Sequence, residues 1–278
     1  MQNMLPNVNY PIREYKSTPY DVSQHPDKIT GREYGVIYSV FNRLDMTQRT
    51  LPILVNETKN AEIIVVNDGS TDGTKDWLKT VFGPTVINCD KNMGIAASQN
   101  KAIQLCLHRG YKYIVFHDND VIMGTGWIEG LKKAVNSDKR IGIISPIFNP
   151  NGVPQVNKHM KPHFTPTVNI VKREVFEDVG LFDENFVGFG SQCVDFCMRA
   201  YLAGWRAYTV SWVAGRHFAH ATVGVGFSRG WWSDEKMTAH NVNAFVNKWH
   251  ERFNNSKPFL HWVALRVLEL HGENWING

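Results

Sequence analysis

Residues 113–121, YIVFHDNDV, decide how the rest of the chain is read. The first four, Tyr113 to Phe116, are uncharged β-formers without polar alternation, the pattern of a strand buried on both faces of a parallel sheet. His117, Asp118, Asn119 and Asp120 follow at once. Ligands of open α/β sheets gather at the carboxyl ends of the strands, so this acidic turn stands where a site is expected. Two carboxylates one residue apart repel each other, and a bound divalent cation relieves that repulsion. Hard oxygen ligands suit Mg2+ or Mn2+, which also take up phosphate oxygens of a substrate. The alternative is a solvated polar turn, since Asp-Asn-Asp is ordinary turn chemistry.

Working outward, residues 35–41, GVIYSVF, and 62–66, EIIVV, read as two further buried strands. The first ends at Asn42-Arg43, and the second runs into Asn67-Asp68-Gly69-Ser70-Thr71-Asp72-Gly73-Thr74. Between them lies a helix-period segment with Leu44, Leu51, Leu54 and Val55, interrupted by Pro52. A short strand over 85–88 leads to Asn92-Met93-Gly94 and then to IAASQNKAIQLCLH, a helix with a small-residue face for close packing. A helix over 127–135 and a fifth strand over 141–145 complete a regular alternation. That alternation predicts an α/β fold, a doubly wound and mostly parallel sheet with helices on both faces.

After Ser145 the pattern changes. Five prolines between 146 and 166 predict a long surface loop. A strand over 167–171, a short helix over 172–179 and a helix over 194–203 closed by Gly204 follow. The last strand, 206–212, delivers His217 and His220 just beyond its end. The tail from 221 is Gly-rich and then aromatic, with Trp231, Trp232, Phe245, Trp249 and Phe253. A helix is expected from Ser233 to about 251, and another over 258–270. Residues 1–33, with Pro6, Pro11, Pro19 and Pro26, read as an arm or strap.

Composition narrows the function. The 278 residues are 43% hydrophobic and 20% charged, as in an ordinary globular protein. No apolar run is long enough to span a bilayer and the start lacks a signal-peptide core, so a cytoplasmic location is expected. Four cysteines without CxxC spacing point to reduced thiols. A net charge of +4 permits a polyanionic partner without requiring one. No GxGxxG follows the first strand and no GxxxxGK[ST] occurs, so dinucleotide and P-loop sites are unsupported. What remains is an acidic site, at which a nucleotide diphosphate needs a metal between the two negative groups.

The segments VFNR at 40–43, VVNDGSTDGT at 65–74, NMGIAASQN at 92–100, HDNDV at 117–121, VKREVFEDVGLFDENFVGFG at 171–190 and VDFCMRAYLAGW at 194–205 occur in one order. Together they resemble the GT-A fold nucleotide-sugar glycosyltransferases, closest to family 2, from about residue 35 to about residue 224. The resemblance implies an N-terminal arm (1–33), a catalytic domain (34–224) with a nucleotide-sugar-binding half (34–145) and an acceptor half (146–224), and a helical aromatic-rich C-terminal extension (225–278). It implies metal-dependent transfer, with Mn2+ or Mg2+, from a nucleoside diphosphate sugar such as a UDP-sugar to an acceptor hydroxyl, with inversion. Asp68, with Asn67 and Asn42 or Arg43, would hold the base, and Asn92 and Gly94 would lie near the ribose. Asp118 and Asp120 match the DxD motif that binds metal and ribose, and His220 or His217 would complete the metal shell. The alternative for either histidine is a hydrogen-bonded surface or core residue.

Two departures stand out. The family's Glu-Asp before Val-Asp is Gln192-Cys193 here, so its general base falls on a cysteine, a poor proton acceptor. Asp195 is the carboxylate left to take that role, or else it forms an i,i+4 ion pair with Arg199. Gln99 replaces an arginine often found near the diphosphate, which shifts phosphate binding to the metal or to a residue such as Arg216 or Arg229. The acceptor is a saccharide or glycan by default, framed by Lys158, His159, Lys161 and His163, and a hydroxylated modified base in DNA is the other reading. The tail aromatics either stack on an acceptor or pack the tail onto the domain. A non-catalytic nucleotide-sugar-binding protein is the alternative function.

Overall fold

The computed structural model describes residues 13–25, 31–149, 151–155, 160–162, 167–218 and 234–253. The first two strands, β1 (Tyr34–Val40) and β2 (Ala61–Asn67), are the β-branched runs foreseen, and nearly every residue in them is buried. With β3 (Thr85–Asn88) and β4 (Tyr113–Asp118) they form the order β3-β2-β1-β4, all parallel. Their register sets Val40 beside Asn67, Asn67 beside Asn88 and Ser39 beside Asp118. The four strands therefore end level, and each exit loop opens onto the same edge.

The connecting helices fall on both faces. α1 (Leu44–Glu57), α2 (Thr74–Leu78) and α4 (Trp127–Val135) bury Leu51, Leu54, Leu78, Ile128 and Leu131 against one face. α3 (Ile95–His108), α5 (Arg173–Val179) and α6 (Gln192–Leu202) bury Ile103, Leu105, Val175 and Phe196 against the other. Pro52 lies inside α1 without interrupting it; the helix continues through it because Leu51 and Leu54 are held in the core. The small-residue face of α3 has its reason at Gly35, where an added Cβ would lie 2.5 Å from Cys106 Sγ.

Beyond β4 the sheet is mixed rather than mostly parallel. β8 (Val168–Lys172) pairs antiparallel with both β4 and β6 (Ile141–Phe148), and β9 (Arg206–His217) runs parallel to β6. β5 (Val121–Met123) and β7 (Met160–Pro162) add to β9 antiparallel. The proline-rich stretch is thus not all loop: β6 takes up its start and β7 residues 160–162. β9 is five residues longer than the strand expected to close at 212, and a register shift between Pro146 and Ile147 carries it on to His217, opposite Val121. Residues 13–25 strap the α3 side, with Tyr20 N donating to Gln104 and Thr18 to Glu184. The tail helix α7 (Asp234–Phe253) seals Trp249 inside, at 1% exposure. No described helix is long and apolar enough to cross a membrane.

Candidate active site

Loops leaving four level parallel strands meet at one place, and their backbones are unusual there. Asn42 and Arg43 both take left-handed backbone, at φ 55° and 56°. That costs roughly 1–2 kcal/mol for each non-glycine residue and persists only where the surroundings over-determine it. Here they do: Asn42 N donates to Ser70 Oγ (2.7 Å), Asn42 Oδ1 accepts from Thr71 N (2.8 Å) and Leu44 N donates to Asp72 Oδ2 (2.9 Å). Arg43 lies across Asp45, Nε to Oδ1 at 3.0 Å, within the field of Asp120.

Asp68 leaves β2 and turns inward, where only 7% of it stays exposed. Its two oxygens accept from the amides of Met93 (2.8 Å) and Gly94 (3.0 Å), tying the β2 exit to the loop before α3. Burial outweighs these two donors and pushes the Asp68 carboxyl up to about 7. Asn92 Oδ1 shares the Gly94 amide (3.1 Å). Asn67 is fully buried between Asn88 Oδ1 and the Ser70 amide. Gln99 donates to Ser39 Oγ at 2.8 Å and is 3% exposed, so it braces β1 and faces no open site.

A pH dependence follows from Asp68. Its folded pKa lies above the unfolded value, so between pH ~4 and ~7 the folded chain holds a proton the unfolded chain has lost, and stability falls as pH rises through that window. The loss attributable to Asp68 is at most roughly 4 kcal/mol. Thermal melts of wild type and Asp68→Asn from pH 4 to 8 should converge or cross as pH rises, and a constant gap between them would count against a raised carboxyl.

The turn after β4 sorts its three polar residues. Asn119 faces α1, its amide donating to Thr47 Oγ1 (3.1 Å) while its carbonyl accepts from Thr50 (2.8 Å). Asp118 and Asp120 are left on either side of it. Burial, and after it the charge of Asp120, hold the Asp118 carboxyl well above the usual range. His217 Nε2 lies 3.3 Å from Asp120 Oδ1, and Phe218 N donates to the Asp120 carbonyl (2.9 Å). His117 is no ligand: buried between Tyr38 and Trp127, it is pulled down to about 4 by burial and stays neutral. The structure thus brings His217 to Asp120; His220 lies outside the described residues, as do Arg229, Lys158, His159, His163, Trp231 and Trp232.

Positive charge gathers beside this turn. Arg49 and Arg216 each lie 4.7 Å from the Phe218 ring centre. Sequence reading missed Arg49 and Phe218, because nothing in a single chain shows that the first helix meets the end of the last strand.

The carboxylate expected as a base sits within a buried ion-pair network. Asp195 is fully buried, with Oδ2 on Arg199 Nε (2.8 Å) and Oδ1 on Lys248 Nζ (2.8 Å) and Trp249 Nε1 (3.0 Å). The ion pair with Arg199 forms in the core rather than on a helix surface, and α7 closes over it. The first turn of α6 turns the Asp195 side chain inward. Cys193 instead is partly exposed and feels the charge of Asp118; burial first, and the anions after it, push its thiol up to about 11.

A divalent cation fits the donor set on chemical grounds. Asp120 meets the His217 imidazole, and Asp118, two residues away, has its carboxyl raised by burial and then by the charge of Asp120, a charge that a cation would offset. Among the described residues no three His, Cys, Asp or Glu side chains are already gathered as a metal cluster.

An acidic turn at the carboxyl edge of a half-parallel, half-mixed sheet is the architecture of the GT-A glycosyltransferases. Solved structures share the fold: the mannosyltransferase PcManGT from Pyrobaculum calidifontis, in complex with GDP-Man and Mn2+, superposes with a TM-score of 0.52 at 22% identity over 69% of this chain and 58% of that one. S. aureus TarS 1-349 in complex with UDP-GlcNAc gives 0.53 at 20% identity over 66% and 58%. The family model described as "Glycosyl transferase family 2" matches residues 35–199, and the chain belongs to that family. The dTDP-rhamnosyl transferase RfbF of Shigella flexneri is 27% identical over 188 residues, 59% of this chain and 62% of that protein. The chain thus spans about three fifths of that relative's length.

Proposed function

We propose that the chain transfers a sugar from a nucleoside diphosphate sugar to an acceptor hydroxyl. One juxtaposition carries the reading: the Asp118–Asp120 turn, with His217 3.3 Å from Asp120, faces the same edge as the loop in which Asp68 holds Met93 and Gly94. Asp68, Asn67, Asn42 and Arg43 frame the base, Asn92 and Gly94 the ribose, and Asp118, Asp120 and His217 would hold Mn2+ or Mg2+. A cation bound there supplies Lewis acidity that neutralises charge on the departing diphosphate. The chain's own residues bind and orient: Arg43, Arg49 and Arg216 add positive field at the diphosphate end, and the linked loops 42–45 and 68–74 fix the donor's angle. Relatives named for dTDP, GDP and UDP donors differ in base, and a UDP-sugar is our choice for this chain. The acceptor we propose is a saccharide, reached with inversion.

A second reading has one observation behind it. With Asp195 sealed and the Cys193 thiol pushed up to about 11, the α6 end of the site presents no ready proton acceptor, as in a protein that binds nucleotide sugars without turning them over. The test pairs thermal shift with product release, using UDP-, GDP- and dTDP-sugars with and without Mn2+. Transfer requires nucleoside diphosphate release that rises with a saccharide acceptor. Tight binding with no release, restored by Cys193→Asp, decides for the binder.

A further inference from the structure

α7 lies outside the 35–199 match, and it reads from sequence as a tail helix with aromatic packing. Its most buried polar residue does something else. Asn241, at 2% exposure, spends its whole side chain on the backbone of 187–190. Its Oδ1 accepts from Val187 N (2.9 Å), and its Nδ2 donates to the carbonyls of Val187 (2.9 Å), Phe189 (3.0 Å) and Gly190 (3.2 Å).

That loop has no regular structure of its own and carries left-handed glycines at Gly188 and Gly190. It abuts the donor loop directly. Gly188 O accepts from Ile95 N (2.7 Å), and a Cβ on Gly94 would lie 2.7 Å from Gly188 N. Gly94 N in turn donates to Asp68. At its other end the loop runs into Ser191 and Cys193, beside Asp118. A line of backbone contacts thus runs from Asn241 through 187–190 to both Asp68 and the start of α6.

We propose that Asn241 is a positioning residue for the donor site: it fixes the loop 187–190, and through it the Gly94–Asp68 bridge and the α6 end that faces Asp118. The proposal rests on reading the site as one for a nucleoside diphosphate sugar. One amide reaching four backbone groups of a glycine-containing loop, with one of its two hydrogens shared between carbonyls, replaces the ladder bonds such a loop cannot make for itself. The sequence signal was an Asn at 241 on the stripe it shares with Phe245, Lys248 and Trp249, where an apolar residue is expected.

The test compares Asn241→Asp, which keeps the shape but turns a second oxygen toward three carbonyls, with Lys248→Met on the same helix. Lys248→Met loosens α7 at Asp183 and Asp195 and removes no bond to the backbone of 187–190. The expected result is a rise of about tenfold or more in donor KM and in the Kd for UDP with Asn241→Asp, since small misplacements at a site are costly. Lys248→Met should lower Tm yet hold both constants within about twofold. Equal shifts in the two variants, or unchanged constants in folded Asn241→Asp, overturn the proposal; Asn241→Ser serves if Asn241→Asp does not fold. If wild type binds no nucleoside diphosphate, the site reading fails separately. The clamp is then judged by amide exchange at Gly94 and Ile95: faster exchange in the Asn241 variant than in Lys248→Met supports it, and equal exchange overturns it.

Discussion

Asp120→Ala is expected to lower kcat/KM for sugar transfer by about a thousandfold or more, the scale of losing several kcal/mol of charge stabilisation at a leaving diphosphate. Asp120 sits 6% exposed, with His217 at 3.3 Å and Asp118 two residues away. The fold should tolerate the change. Removing one of two neighbouring anions relieves the repulsion on Asp118, whose carboxyl burial still holds up, and melting should move little or upward. Chelator should mimic the variant in wild type and add nothing to the variant itself. Full transfer in excess chelator, or an Asp120→Ala protein as active as wild type, would remove the turn from the proposed chemistry.

The second large effect is on stability. Asp195→Ala leaves Arg199 and Lys248 facing a buried space without their shared anion, at a cost of about 3–5 kcal/mol. Arg199, with no exposed surface, keeps the Val179 and Leu181 carbonyls but loses its only carboxylate among the described contacts. Denaturant melts read this directly as a fall in midpoint. The same position separates two roles. Asp195→Asn keeps the shape, and in folded protein it should retain transfer within about tenfold, whereas loss of a general base costs about 100- to 10,000-fold. A loss on that larger scale with unchanged melting would return Asp195 to the chemistry.

Much of the site's place in the fold was legible because it hangs on strands whose two-sided burial leaves runs such as EIIVV and YIVF. Four such runs, each followed by polar loop residues, put Asn42, Asp68, Asn92 and Asp118 at one edge before any contact is known. The other half was less legible. Strand direction is not written in an apolar run, so the antiparallel entry of β8 between β4 and β6 left no trace. β5 and β7, three residues each, are too short for any period. The burial of Asp195 was not legible because a carboxylate beside an arginine at i+4 looks the same on a surface as in a core; α7, 54 positions away, decides the matter. Gln99 was legible as a departure but not as a brace for Ser39.

The clamp at Asn241 also sets an order of assembly. β1 to β4 pair through neighbouring segments and can settle while the chain is still being made. The wall formed by 187–190 receives its hydrogen bonds from a residue 54 positions later, after the whole sheet has been threaded. Nascent chains stalled before that residue should already resist proteases across the parallel strands and still fail to retain nucleotide, so that binding competence reports that synthesis has passed α7.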